Sequence, residues 1–134
     1  MEKLHILKIG GNVIDNPELL DKFLSDFSKI KEKKILVHGG GKLATDLAQK
    51  LSIPQTLVDG RRITDKDTLD VAIMVYTGLI NKKVVVKLQA LKCNAMGLCG
   101  ADGNLIQSKK RLNAHVDFGH GGDLFSNSIN NEML

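Results

Sequence analysis

Two short apolar runs, each ending in glycines and followed by a helical pattern, constrain the fold of this chain most strongly. Residues 4–8 stop at Gly10-Gly11, and residues 35–38 stop at Gly39-Gly40-Gly41. Short apolar runs that end at glycine are typical of buried strands. Strands separated by helices build parallel βαβ units with right-handed crossovers. We therefore predict an α/β fold, a three-layer α/β/α sandwich with a mainly parallel open sheet.

The remaining patterns divide the chain into alternating elements without a domain boundary. Asn16 can cap a helix over about residues 17–30, because Pro17 suits the first helical position. No repeat or linker composition interrupts the 134 residues, so we predict a single domain over residues 1–134. The further predictions are a helix over residues 43–51, a hairpin turning at Asp59-Gly60, a long helix from about Asp65 through Ile80 to about Lys92 with Thr64 and Asp67 as an approximate capping box, a strand over 95–99, a turn at 101–103 and a short pair around 105–107.

Charge and composition narrow the classes of partner. The net charge of +4 favours anionic partners, and a small acidic metabolite fits this as well as nucleic acid does. Only 4% of the residues are aromatic, so base-stacking platforms are scarce and we expect no nucleic-acid partner. No apolar run approaches the ~20 residues that span a bilayer, so we expect no membrane partner. Two cysteines and no secretory signal pattern predict a cytoplasmic location.

The glycine clusters are the candidate anion-binding elements. In an open parallel sheet, ligands bind outside the carboxyl ends of the strands, and both clusters follow such ends. Gly10 and Gly11 allow close approach of a bulky anion, and Lys8 places a positive charge near it. The alternative is a purely structural role, in which Lys8 is a charge on an edge strand and the glycines only turn the chain. The second cluster, residues 39–41, opens a helix, whose free amides and positive dipole end attract anions.

Three side chains near these loops have alternative interpretations. Either Arg62 or Arg61 can clamp a carboxylate with its planar fork of donors, and because strand alternation points them in opposite directions, only one of the two should face the site. His38 could be an acid or a ligand, but a histidine at a strand end more often fixes a loop by hydrogen bonding. The histidines and cysteines show no standard zinc spacing, so we predict no metal site.

A dinucleotide-binding domain is a competing hypothesis for the second glycine cluster. Gly39, Gly41 and Ala44 match the pattern G-x-G-x-x-A between a strand and a helix. The dinucleotide pattern ordinarily follows the first strand of its fold, whereas this one follows the second. The acidic residue that should hold the ribose, Asp59, lies in a predicted turn instead of at a strand end. Dinucleotide binding is therefore retained only as an alternative.

Several motifs, taken together in their order and spacing, resemble the N-acetylglutamate kinases of the amino-acid kinase superfamily. The resemblance extends over the whole chain, and its fold is an α/β/α sandwich with a mainly parallel sheet. The motifs that carry it are Lys8-Ile9-Gly10-Gly11, Val37-His38-Gly39-Gly40-Gly41, Val58-Asp59-Gly60-Arg61-Arg62-Ile63-Thr64, Asn81-Lys82, residues 97–103 and Val116-Asp117-Phe118-Gly119.

The resemblance implies a reaction and a set of site residues. The reaction is phosphoryl transfer from ATP, carried with Mg²⁺, to the γ-carboxylate of an N-acylated glutamate in arginine biosynthesis. Such a transfer needs positioning and charge neutralisation more than a covalent nucleophile. By the resemblance, Lys8 stabilises the transferring phosphoryl group, Gly10 and Gly11 approach the ATP phosphates, Gly40 and Gly41 bind acylglutamate through their amides, and Arg62 holds a substrate carboxylate.

This chain departs from the family pattern in its extent. The family continues into an ATP-binding lobe, whereas this sequence stops at Leu134. The resemblance therefore implies an acylglutamate-binding N-terminal lobe that turns over poorly alone, and a homodimer formed through the long helix is expected. A non-catalytic module that binds an acidic metabolite with the same loops is the alternative from another functional class.

Overall fold

A parallel pair of strands forms the centre of the molecule in the computed structural model, which describes residues 3–112 and 115–133. Strand β1, Leu4–Ile9, pairs with strand β2, Lys33–His38. Their register places Ile9 opposite His38, so Gly10 and Gly39 follow directly from paired positions. The predicted α/β class and parallel pairing are confirmed, and both glycine clusters lie at one edge of the sheet.

Two helices connect these strands. The short helix α1, Gly11–Ile14, was not expected, because its first residue belongs to the predicted glycine loop. Helix α2, Pro17–Lys29, begins as predicted: Asn16 Oδ1 accepts a hydrogen bond from the Leu19 amide at 3.1 Å. Proline is tolerated at the first helical position, because an N–H there would have no acceptor within the helix. Local side-chain chemistry therefore sets where α2 starts.

Helix α3 and a small hairpin follow β2. Helix α3, Gly41–Lys50, begins inside the glycine cluster, which confirms that the cluster opens a helix. Strands β3, Leu57–Val58, and β4, Arg61–Arg62, pair antiparallel across Asp59-Gly60. Asp59 and Gly60 both have positive φ, 50° and 73°, as a tight two-residue turn requires. The predicted hairpin is confirmed.

The predicted long helix is continuous but has an unusual middle. Helix α4, Lys66–Ala72, passes into a π-helical segment, Ile73–Ile80, and then into helix α5, Asn81–Ala90. The start was predicted one residue too early. Asp65 is the cap, because its carboxylate accepts from the Thr68 amide at 2.8 Å, and the predicted pairing of Thr64 with Asp67 is wrong.

The predicted strand over residues 95–99 is also wrong, since this segment has no strand assignment. Side chains of α5 occupy its backbone carbonyls in place of a neighbouring strand: Gln89 donates to Ala95 O at 2.9 Å and Lys82 to Gly97 O at 3.0 Å. The predicted short pair near residue 106 is a single antiparallel bridge to Ile129. A 3₁₀ turn over Asp102–Asn104 precedes the bridge, at the predicted turn. The remaining elements are strands β5, Lys109–Lys110, and β6, Gly122–Asp123, and a 3₁₀ turn over Asn131–Met133.

The hydrophobic core lies between one face of the β1–β2 sheet and the helices. On the other face, Leu4, Ile6 and Val37 are 48%, 65% and 45% exposed. No helix of the described ranges is long and apolar enough to cross a membrane. The core residues are Ile9, Ile14, Leu20, Leu24, Phe27, Ala44, Ala48, Val71, Val75, Ile80, Val84 and Leu88.

Candidate functional site

The end of β1 brings a cation and an unobstructed backbone together. Lys8 is exposed, and its Nζ lies 3.9 Å from the position a Cβ would occupy on Gly10. Within residues 3–112 and 115–133, Lys8 has no hydrogen bond or ion pair. The ammonium group is therefore available to an anion that approaches the backbone at Gly10.

The end of β2 supplies free backbone donors. Neither the Gly40 nor the Gly41 amide has an acceptor in the described part of the chain. Gly40 is buried with φ 154°, and a Cβ built on it would lie 2.0 Å from Ile80 Cδ1 and 3.1 Å from Tyr76 Cδ1. A side chain at this position would therefore displace Ile80 or Tyr76 of the π-helical segment, and the positive φ adds strain. The Gly40 and Gly41 amides are free because they lie at the start of α3.

Arg62 reaches the same helix end from the hairpin. Its Nη2 donates to Thr45 Oγ1 at 2.7 Å and lies 3.4 Å from Gly41 O. Arg61, in contrast, lines a separate cavity of ≈ 410 Å³ with Arg111 and Asp123. The structure thus separates the two arginines as the strand alternation predicted, with Arg62 on the side of the glycine cluster.

A hydrogen-bonded chain behind the glycine cluster was not predicted from the sequence. His38 Nδ1 lies 3.0 Å from Gly39 O, and His38 Nε2 lies 3.3 Å from Asn81 Nδ2. Lys82 Nζ in turn donates to Asn81 Oδ1 at 3.1 Å. The prediction that His38 fixes a loop is confirmed. In the sequence, Asn81 and Lys82 belong only to a motif, because no local pattern links Asn81 to His38, 43 positions away.

The turn at residues 99–102 ends the segment that packs on Asn81. The Cys99 amide donates to the Asp102 carboxylate at 2.6 Å, and this bond holds the pKa of Asp102 below its usual value. The carboxylate is therefore committed to the turn. In the described residues, no group of three or more histidine, cysteine, aspartate or glutamate side chains converges as a metal site would require.

The first glycine loop leaves room for an anion beside a cation. Gly10 presents no Cβ, and the space beside it is bounded by the Lys8 ammonium. Backbone N–H groups and a lysine ammonium are common donors to a bound phosphate.

Fold and site together define an α/β protein with two parallel strands that both end in glycines, with free amides and cations at these neighbouring strand ends. The profile of the Amino acid kinase family matches residues 3–131. The chain belongs to that family.

Related sequences refine this placement and confirm the predicted resemblance. The acetylglutamate kinase of Cytophaga hutchinsonii is 58% identical over 125 residues, covering 92% of this chain and 47% of the relative. That of Parabacteroides distasonis is 51% identical over 134 residues, covering 100% and 52%. The acetylglutamate kinase of Methanopyrus kandleri is 36% identical, covering 98% and 51%. The chain thus spans about half the length of the curated relatives it matches.

Solved structures support the fold alone. The smu.665 protein of Streptococcus mutans UA159 superposes with a TM-score of 0.76 at 22% identity, over 99% of this chain and 53% of its own. N-acetylglutamate synthase from Neisseria gonorrhoeae, solved with coenzyme A and L-arginine, superposes with a TM-score of 0.62 at 19% identity, over 91% and 30%. Both therefore share the architecture of the described residues over part of their length.

Proposed function

We propose that this chain is the acylglutamate-binding, N-terminal lobe of an N-acetylglutamate kinase, which phosphorylates the γ-carboxylate of N-acetyl-L-glutamate with MgATP in arginine biosynthesis. The observation that carries the proposal is the register of β1 and β2. Because Ile9 pairs with His38, Lys8 near the end of β1 and the free amides of Gly40 and Gly41 after β2 lie at neighbouring strand ends. An acceptor carboxylate and a transferring phosphoryl group need such neighbouring sites.

The proposed roles follow from what each group can donate. Gly40 and Gly41 amides bind the acylglutamate, and Arg62 holds a carboxylate after exchanging its contact with Thr45 for the ligand. The Lys8 ammonium neutralises charge on the phosphoryl group during transfer. The backbone of Gly10 and the helix that starts at Gly11 lie against the nucleotide phosphates. When bound, MgATP supplies the phosphoryl group and the metal.

Calorimetry with N-acetyl-L-glutamate tests the acceptor site directly. Arg62→Lys keeps the charge but loses the planar fork, so affinity should fall about tenfold, the effect of one strong charged hydrogen bond. Arg61→Lys is the matched control, because its side chain lines the separate cavity, and affinity should stay within about twofold. Equal losses for both variants, or no binding by the unaltered chain, would contradict the proposed function.

Turnover requires more than the described site. Since the relatives are about twice as long, we propose that the ATP-binding lobe corresponds to their remaining half. The 134-residue chain should therefore give little phosphoryl transfer in a coupled assay. Brisk turnover by the chain alone would refute this division of labour. Binding without turnover, even when the other half is supplied, would favour a non-catalytic module.

The proposal includes an oligomer and a compartment. The π-helical segment and its flanks expose apolar side chains, among them Ile73 at 50% and Met74 at 49%. This surface is our candidate for a homodimer contact, because exposed apolar area of one helix is most simply covered by its own copy. The free thiols of Cys93 and Cys99 suit a reducing cytoplasm.

A further inference from the structure

The chain of hydrogen bonds behind the glycine cluster has a defined direction. The ammonium of Lys82 can only donate, so the oxygen of the Asn81 amide faces it and the amide nitrogen faces His38. Gly39 O can only accept, so the proton of the neutral imidazole is on Nδ1. Nε2 is then the acceptor for Asn81. Each partner fixes the orientation of the next, from the lysine to the loop.

The last bond of this chain orients a peptide group. Gly39 O and the Gly40 N–H belong to one trans peptide unit, in which carbonyl and amide point in opposite directions. Holding the carbonyl on His38 therefore turns the Gly40 amide to the other side of the loop. That amide has no acceptor in the ranges described, although Gly40 itself is buried. A buried free donor is costly unless a ligand completes it.

Close packing and polar contacts hold the Asn81 side chain in this position. A Cβ on Gly97 would lie 1.9 Å from Asn81 Oδ1, so the 97–98 backbone packs directly on the amide. Asn81 Nδ2 also lies 3.4 Å from Leu98 O. The side chain sits at the junction where the π-helical segment becomes α5. Packing and three polar contacts therefore hold the amide in one rotamer.

We propose that Asn81 is a positioning residue, which selects the Nδ1-protonated tautomer of His38 and so aims the Gly40 amide at the substrate carboxylate. The inference rests on the proposed function for the identity of the ligand. The tautomer and the loop geometry do not depend on it. Asn81 acts through His38 and the Gly39-Gly40 peptide, and it needs no contact with substrate.

Nitrogen NMR of the labelled 134-residue chain at about pH 8, above the ordinary histidine range, tests this directly. In the unaltered chain, His38 should show a protonated Nδ1 and a bare Nε2. Asn81→Ala should give a mixture of tautomers, shift the Gly40 amide resonance and weaken N-acetyl-L-glutamate binding at least about fivefold. Lys83→Ala, on the exposed face of the same helix, should change none of these. A protonated Nε2 in the unaltered chain would overturn the proposal, as would an Asn81→Ala chain with unchanged tautomer and Gly40 resonance.

A second pair of variants covers the case in which Asn81→Ala does not fold. His38→Asn retains a short donor for Gly39 O, whereas His38→Leu removes it. We expect His38→Asn to keep the Gly40 resonance near its original position and His38→Leu to shift it, and equal shifts would contradict the role of the Nδ1 donor. If the unaltered chain binds no N-acetyl-L-glutamate, the proposed function fails while these spectra still decide the positioning role.

Discussion

Adjacent glycines in one loop carry different constraints. A Cβ on Gly40 would overlap Ile80 and crowd Tyr76 at a positive φ, while a Cβ on Gly39 would meet no atom within 4 Å. The run of three glycines in the sequence does not distinguish them. At the scale of single residues, the requirement for glycine therefore comes from the neighbouring helix and is specific to one position.

Alanine substitutions should separate these two glycines. Gly40→Ala places a methyl group against Ile80 at a positive φ, so the free energy of unfolding should fall by at least about 2 kcal/mol. Gly39→Ala meets open space and should change stability by less than about 0.5 kcal/mol. Urea unfolding followed by circular dichroism measures both. Similar losses for the two variants would show that the loop packs differently.

The sequence was sufficient to locate the residues of the candidate site, but not the residues that hold them in place. Lys8, the glycine loops and Arg62 could be placed because each lies at the end of a local pattern, and the structure brings them to one sheet edge. Their roles in binding stay predictions. Asn81 could not be found in this way, because its partner His38 is distant in sequence and only the tertiary fold joins them.

Element boundaries are set by side chains within one turn of the helix end. Asn16 and Asp65 both accept from the amide three positions later. Such caps were predictable where the pattern was simple, as at Asn16-Pro17. At the start of α4, Thr64 and Asp65 are adjacent residues that can each cap a helix, and the Asp65 carboxylate forms the cap. The segment over 95–99 was mispredicted because the side chains of Gln89 and Lys82, not its own pattern, decide its backbone partners.

The cap on α4 should make stability depend on pH. The amide and hydroxyl of Thr68 donate to Asp65 and hold the pKa of that carboxyl below its usual 3.8. A lowered carboxyl pKa stabilises the fold above the unfolded value, and the contribution disappears as pH falls through the folded value. The stability advantage of the unaltered chain over Asp65→Asn should therefore be full near neutral pH and shrink below 3.8.

Urea unfolding of both chains across this pH range provides the measurement. Asp67→Asn is the matched control, since it removes a carboxylate from the same first turn without touching the cap. We expect the difference in free energy of unfolding between the unaltered chain and Asp67→Asn not to shrink comparably at low pH. An advantage over Asp65→Asn that stays constant below 3.8 would contradict the assigned cause of the pKa shift.

At the scale of the whole molecule, two of the apolar surfaces exposed by the described residues are candidates for contact with a partner. One is the helical surface around Ile73 and Met74, and the other is the open sheet face with Leu4 and Ile6. Apolar clusters of this kind mark contact surfaces more often than isolated exposed residues do. The oligomer that the chain forms in solution depends on which of the two is covered.

Sedimentation velocity should separate them. If the helical surface forms the homodimer, Met74→Glu buries a charge in the contact and should weaken dimerisation at least about tenfold. Ile6→Thr keeps a β-branched side chain on the sheet face and should leave that dimer intact. Monomers from Ile6→Thr, with dimers retained in Met74→Glu, would assign the contact to the sheet.

The π-helical segment, Ile73–Ile80, determines how the residues of α5 are rotated about the helix axis. A π turn closes its hydrogen bond over one residue more than an α turn, so residues beyond Ile80 are rotated relative to an uninterrupted α-helix. Asn81 is the first of them. Closing the same residues with ordinary α turns, at unchanged length, would rotate Asn81 about the helix axis and carry its amide away from the His38 imidazole. The backbone geometry of residues 73–80, with no change of side chain, thus sets the direction in which the Asn81 amide points.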